Sequence, residues 1–512
     1  MNMKQKDNTS LILIGLMLAI LMSAMDNTIV TTAMGTIVSQ LGGMNQFVWV
    51  TSAYMVAVMA GTPVFGKLSD MYGRKRFFIF GIITFLVGSV LCGMAESIMQ
   101  LSIYRAIQGI GGGALMPIAF TIIYDIFPLE KRGKMTGLLG AVFGTSSIFG
   151  PLLGAYITDR LGWHWVFLIN VPIGLVCLGL IIVFYRESLL RSEQRIDWGG
   201  AFTLVASVVC LMFALELGGE TYPWGSTVIL SLFAGFTVLF IAFLFIETQA
   251  EEPIISFNMF RNRLYATSSA LALLYGSVFI VATVFIPIYV QGVFGGSATN
   301  SGMILMPMMI GSVIGSMLGG FLSTRLSYKT IMFISVFCFV SGIFALSTIT
   351  NETTRFLLTL YSILTGFGVG YSFSVLSMAA VHHFDMRQRG AATSTNSFLR
   401  SLGMTLGITI FGIVQRNLVA DEMKRAFGGE SAGAGVSAEA FGDLREALSP
   451  ERRVQIPPQI LEKITSALST SIAHTFMWAL IPAGLAILVV FIMPNDRISP
   501  QGKRRSQLEQ SS

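Results

Sequence analysis

Residues Gly66-Lys-Leu-Ser-Asp-Met-Tyr-Gly-Arg-Lys-Arg76 put one acid, four bases and two glycines into eleven positions. Apolar runs flank the stretch, Phe47 to Phe65 before it and Phe77 to Ala95 after it. The hydrocarbon core of a bilayer is about 30 Å thick, and roughly 20 apolar residues of helix cross it. Both runs are of that order, so the charged stretch reads as a tight loop at a membrane surface. A generic anchoring loop needs only Lys and Arg. It needs neither Asp70 nor glycines at a fixed spacing, so the pattern is more specific than membrane anchoring demands.

The rest of the chain agrees. Of 512 residues, 53% are hydrophobic and 12% charged, against roughly 25% charged in a soluble domain. Mean hydropathy is +0.71. The apolar runs divide into fourteen spans, about 10–34, 47–65, 77–95, 98–123, 135–158, 164–185, 198–217, 225–246, 266–293, 301–322, 330–349, 355–380, 396–415 and 472–493. Helices are the expected form, because they satisfy their own backbone groups in lipid. With the N-terminus inside, cytoplasmic segments hold 22 of the 33 Lys and Arg, while the six short external loops hold two, Arg160 and Arg355. A multi-pass protein of the cell membrane with both termini cytoplasmic is therefore expected. The first run follows Lys4 and Lys6, yet it is too long for a signal peptide and carries Asp26, so it reads as a retained span.

Other function classes find no support. Cys92, Cys177, Cys210 and Cys338 lie in apolar runs without metal-ligand spacing and read as small core residues; no metal site is expected. The formal charge of +6 is spread over membrane loops, which suits a lipid surface better than nucleic acid. There is no phosphate-binding loop for ATP, no nucleophile with a partnered base, and no cofactor motif. The chain reads as neither an enzyme nor an ATP-driven pump.

An internal repeat organises the spans. Leu101-Ser-Ile-Tyr-Arg-Ala-Ile-Gln-Gly-Ile-Gly-Gly-Gly113 matches Leu358-Thr-Leu-Tyr-Ser-Ile-Leu-Thr-Gly-Phe-Gly-Val-Gly370 at Leu, Tyr and three glycines, at an offset of 257. The same offset sets Arg132-Gly133 on Arg389-Gly390, and an offset of 254 sets Gly66, Leu68, Ser69 and Lys75 on Gly320, Leu322, Ser323 and Lys329. Two six-helix bundles therefore flank two inserted helices. The divisions are 1–190 for the first bundle, 191–250 for the insertion and 251–415 for spans 9 to 13. An external loop at 416–471, a last span at 472–493 and a cytoplasmic tail at 494–512 complete the chain. The ionisable residues are concentrated in the first bundle, since Asp70 falls on Thr324 and Arg105 on Ser362.

Within the spans, two charges stand out. Asp26 lies in Ala24-Met-Asp-Asn-Thr-Ile-Val30; an intramembrane acid is expensive and marks an ion or substrate route, the alternative being a structural acid near the outer interface. Arg105 cannot lose its proton, so it needs a carboxylate, a carbonyl or water, the alternative being a structural anchor. Gln108 follows it by one turn. In Gly144-Thr-Ser-Ser-Ile-Phe-Gly-Pro-Leu-Leu-Gly154, Pro151 removes a helix hydrogen bond and bends the helix, while Gly144, Gly150 and Gly154 admit a close neighbour. Met303 and Met306 could line an adaptable cavity or simply fill an apolar core. Asp125 and Glu216 read as interfacial.

The 66–76 pattern resembles the signature loop of the major facilitator superfamily, whose parallel six-helix halves rock about a midplane site. The segment around Asp26, the Leu-x-x-x-Arg-x-x-Gln-Gly of Leu101–Gly109, the Gly144–Gly154 pattern, Trp163-His-Trp-Val-Phe-Leu-Ile-Asn-Val-Pro-Ile-Gly174, Asp197-Trp198-x-Gly200 and Pro287-x-Tyr-x-Gln291 all resemble motifs of its fourteen-span drug:proton antiporters. Departures fall at Gly35, where that group has Pro, at Ala155, where it has Gly, and at His164, where it has Arg. The resemblance implies a bacterial exporter of the Gram-positive type, monomeric and driven by the proton gradient, exchanging protons for amphipathic cationic or neutral drugs. It implies proton coupling through Asp26 and Arg105, and gating through Gly66, Asp70, Gly73, Arg74, Lys75 and Arg76. It also implies an antiporter kink at Gly144, Gly150, Pro151 and Gly154, and a cavity reached by Asp26, Gln108, Met303 and Met306. Two alternatives remain: a narrow exporter of the same fold, for tetracycline, a siderophore, a lipid or a metabolite, and a non-transporting membrane sensor.

Overall fold

The computed structural model describes residues 3–42, 48–187, 196–219, 221–295, 298–427, 453 and 456–497. These fold into helices α1 (Met3–Leu41), α2 (Val48–Tyr72), α3 (Arg74–Gly93), α4 (Ile98–Ile126), α5 (Leu129–Leu161), α6 (His164–Leu168), α7 (Asn170–Phe184), α8 (Trp198–Leu217), α9 (Thr227–Gln249), α10 (Arg263–Gly292), α11 (Ala298–Leu322), α12 (Tyr328–Leu346), α13 (Arg355–Val381), α14 (Arg389–Phe427) and α15 (Pro458–Ile492). Among the described residues, thirteen segments are long and apolar enough to cross a membrane, with α6 and α7 joined as one. Helix α5, with 33 residues, has the length, but its glycines and hydroxyl residues dilute its apolar character.

Three local details depart from the sequence reading. The expected loop at 66–76 shrinks to one residue: α2 runs to Tyr72 and α3 begins at Arg74. Gly73, at φ +105, makes the reversal, a backbone region open to glycine. The expected external loop at 416–471 is helical at both ends, because α14 continues to Phe427 and α15 starts at Pro458. Charges at helical spacing support the first extension, with Arg425 paired to Glu422 at 2.7 Å. The second begins on a proline, which suits a first helical position. The short amphipathic helix conceivable at Ala438–Leu448, and the tail beyond residue 497, lie outside the described residues. Finally, the sixth expected span is broken at Ile169. Pro172 has no N–H to continue the ladder from α6, and Asn170 sits at the break.

Apolar side chains form separate cores. One set, including Leu16, Phe85 and Ile118, belongs to α1–α7; another, including Tyr275, Phe339 and Phe476, belongs to α10–α15. Tyr124 of α4 crosses into the second core. Helices α8 and α9 pack along α2 through Met59, Leu204 and Phe243. Lipid supplies no hydrophobic drive for helices to associate, so close packing carries the assembly. The two halves meet most tightly at the end holding Gly73. There α5 crosses α11 so closely that a Cβ on Gly133 would lie 2.0 Å from the Gly320 carbonyl oxygen. Contacts of α5 with α11 continue up to Gly144, which faces Val313. At the opposite end, Gly35, Gly302 and Gly412 face open space. The halves are thus closed together at the Gly73 end.

Candidate functional site

Asp26 of α1 is fully buried, as are Arg105 and Gln108 of α4. Arg105 Nη1 donates to Asp26 Oδ2 and, at 2.7 Å, to Gln108 Oε1. Gln108 Nε2 donates to Asp26 Oδ1 at 2.8 Å and to Ser89 Oγ of α3 at 3.2 Å. Asn170 Nδ2, placed by the break before α7, donates to Asp26 Oδ1 and Ser89 Oγ, each at 3.0 Å. Ser89 passes its own proton to the Phe167 carbonyl at 2.8 Å. Arg105 Nε donates to the Val50 carbonyl of α2 at 3.1 Å, and its guanidinium lies over the Tyr54 ring at 4.1 Å. Helices α1, α2, α3, α4 and α7 are therefore tied through one carboxylate and one guanidinium. Removing one partner of a buried pair costs about 3–5 kcal/mol, because the other charge is left uncompensated.

A second cluster joins the halves at the closed end. Asp70, at the foot of α2, accepts hydrogen bonds from the Gly390 and Ala391 amides at 2.9 and 2.7 Å. These are first-turn donors of α14, where a helix has unpaired N–H groups and favours negative charge. Arg74, fully buried, pairs with Asp70 at 3.0 Å and with Asp125 of α4, and donates to the Met386 carbonyl. Asp125 also holds Arg389 at 3.1 Å. Gly66 leaves room for this approach: a Cβ there would lie 2.0 Å from Ser394 Oγ. The offsets of the repeat set Arg74 on Tyr328 and Asp125 on His382, and those two also touch, Tyr328 Oη to His382 Nδ1 at 3.1 Å. Burial, and then His383, hold His382 below its ordinary pKa, so a charged pair in one half has a neutral hydrogen bond as its counterpart.

The Major Facilitator Superfamily profile matches residues 16–408. The chain belongs to the major facilitator superfamily. It is 59% identical to Multidrug resistance protein 3 of Bacillus subtilis over 493 residues, 96% of each chain. It is 33% identical to the Multidrug transporter protein MdtP of the same organism, over 99% of this chain and 97% of that one. Among solved structures it resembles the human organic anion transporter MFSD10 (TETRAN), with a TM-score of 0.60 at 14% identity over 96% of this chain and 100% of that one. The proton:xylose symporter XylE follows, with a TM-score of 0.58 at 15% identity over 90% of this chain and 99% of that one. At such identities the structures speak for the fold, which is an all-helical, multi-pass membrane fold of this superfamily.

Placed on this major facilitator fold, the residues singled out from the sequence fall into three groups. Asp26, Arg105 and Gln108 come together, but inside the first bundle, sealed from any cavity in this conformation; the expectation that Asp26 and Gln108 line an open substrate cavity does not describe this state. Asp70, Arg74, Gly66 and Gly73 come together at the closed end. There the residues of the implied gate join the two halves. Lys75 turns aside, its amide donating to Glu187 at 2.9 Å and its Nζ to the Ile182 carbonyl at 2.7 Å, and Arg76 is exposed. Gly144 faces α11, whereas Gly150 and Gly154 face Thr28 and Thr32 of α1, just beyond Asp26. Helix α5 runs on through position 151; the Pro151 side chain lies outside the described residues. Met306 is half-buried, but Met303 is 55% exposed, on the same side of α11 as exposed Ile310 and Ile314, away from the seam with α5. Sequence reasoning missed Asn170, Ser89, Tyr54, Asp125 and the α14 amides. Asn170 and Asp125 carried a usable signal as polar residues at the ends of apolar runs; a backbone amide carries none.

Proposed function

We propose that this protein is a proton-coupled multidrug efflux transporter of the cell membrane. Its fourteen spans form two six-helix bundles around two inserted helices, with both termini cytoplasmic. On that orientation the halves are closed at the cytoplasmic end by Asp70 and Arg74. The observation that carries the reading is the full-length identity to a protein named for multidrug resistance, in a chain whose only fully buried acid and fully buried intramembrane base outside the latch, among the described residues, are paired.

In this reading Asp26 takes a proton from the outside. Neutral Asp26 no longer holds Arg105, and the tie across α1, α4 and α7 loosens. Gly150 and Gly154, seated on α1, pass the change to α5 and its seam with α11. The halves rock, substrate enters from the inside, and loss of the proton to the cytoplasm restores the pair and the latch. A proton shifts the equilibrium only by its differential affinity for the two states, so the pair must differ between them. The gradient is the energy source, with neither ATP nor a cofactor, and one chain suffices. Proteoliposomes loaded with a dye and given a pH gradient test this. Asp26→Asn is expected to abolish gradient-driven efflux while the protein still inserts; efflux at the native rate refutes the coupling role.

A further inference from the structure

Arg400 of α14 has no acid facing it. Its Nε and Nη2 are buried without a hydrogen-bond partner among the described residues, and Tyr124 lies close to it. The guanidinium lies 4.5 Å over the Phe373 ring, which meets Phe279 edge-on at 6.0 Å. The backbone at Arg400 packs against Gly276 of α10, so the side chain is held at the level of that crossing. It stands eleven residues into α14, about 16 Å along the helix, and its long side chain leans back toward the latch end. The residue as a whole remains partly accessible. It lies inside, between α13 and α4.

A desolvated cation without an anion is costly, and every other intramembrane acid among the described residues is engaged. Asp26 holds Arg105, Asp70 and Asp125 hold Arg74, Glu216 accepts from Ser52, and Glu247 accepts from Ile255. The two free atoms of Arg400 form one side of the guanidinium fork, the edge that takes a carboxylate in bidentate fashion. Nearby, the Tyr124 hydroxyl is buried beside Thr136, and the Thr393 hydroxyl, seven residues below Arg400 on the same helix face, is buried without a partner among the described residues. Phe120 packs against the apolar cores of both halves, so the surroundings are aromatic as well as polar. We propose that Arg400 is a substrate-binding residue, and that the pump accepts aromatic molecules carrying a carboxylate, which docks on the Nε–Nη2 edge with Tyr124 as a second donor and the ring stacked among Phe373, Phe279 and Phe120. This rests on the efflux reading above and widens it, since the resemblance read from the sequence implied cationic or neutral substrates.

Equilibrium binding to the purified full chain tests it, with 1-pyrenebutyrate and its methyl ester as fluorescent probes. The native protein is expected to bind the acid at least tenfold more tightly than the ester. Arg400→Gln brings the acid down to the affinity of the ester, Arg400→Lys keeps part of the preference, and Tyr124→Phe weakens the acid by several fold. Ester binding retained by each variant shows that it is folded. Equal affinities for acid and ester in the native protein overturn the inference. So does an Arg400→Gln protein that still prefers the acid, or one that loses both probes while its melting temperature is unchanged. Ethidium efflux from proteoliposomes under a pH gradient is the separate check on transport. If it is absent while the acid preference holds, the efflux reading falls and the anion site stands only as a binding site.

Discussion

Asp70→Asn perturbs a contact that joins the two halves at the closed end. The carboxylate accepts from two amides of the other half and pairs with Arg74. A hydrogen bond to a charged group contributes about 1.5–3 kcal/mol, and a charge at a helix N-terminus adds about 0.3–1 kcal/mol. Asparagine keeps a single acceptor oxygen and no charge, so the closed state loses about 3 kcal/mol. The two amide contacts cross between the halves and are lost when the halves part, whereas the Asp70–Arg74 pair lies within one half and falls on both states alike. At about 1.4 kcal/mol per factor of ten, the population ratio moves by roughly two orders of magnitude. Spin labels at Arg76 and Arg387, exposed and on opposite halves, read this as a distance distribution. The native protein is expected to show mainly the short distance, and Asp70→Asn a long component of comparable weight. An unchanged distribution in the variant refutes the assignment of Asp70 as the latch.

Three further outcomes follow from the same geometry. Ala391→Pro removes one amide donor from the latch without changing any charge, at a first-turn position where proline is tolerated; a smaller shift toward the long distance is expected in the same spectra. Gly133→Ala puts a methyl group where Gly320 already stands, so a cysteine placed on the half of α11 near Gly320 should react faster with a water-soluble maleimide. Asp26→Asn leaves Arg105 buried and unpaired, and about 3–5 kcal/mol of stability should be lost. Adding Arg105→Gln should recover much of the melting temperature but not the gradient-driven efflux, and recovery of both would place the pair in folding alone.

How far the sequence could be read depended on whether a signal was local. The turn at Gly73 was legible because glycine, acid and bases sit side by side, although the helices advance into the stretch and leave one turn residue. Asp26 and Arg105 each stood out as charges in apolar runs. Their contact did not, being 79 residues apart in sequence, and no periodicity links two helices. The partner of Asp70 lies 320 residues away and is main chain. The repeat gave the asymmetry of the halves correctly at Thr324 and Ser362. It could not say that Tyr328 and His382 keep the contact of Arg74 and Asp125 in neutral form. The extent of α14 was hidden because helix in water needs no apolar run.

Because Asp70 grips amides and not a side chain, the second half meets this acid through its backbone, and Arg389 is the side chain it adds to the latch. Gly390 must stay small, since a Cβ there would sit 2.5 Å from the Asp70 carboxylate, while position 391 must only avoid proline. Mutation can therefore rework second-half side chains away from this end, and with them the spectrum of compounds expelled, without touching the grip on Asp70. A pump under selection by changing toxins has in this contact a part that substrate adaptation leaves untouched.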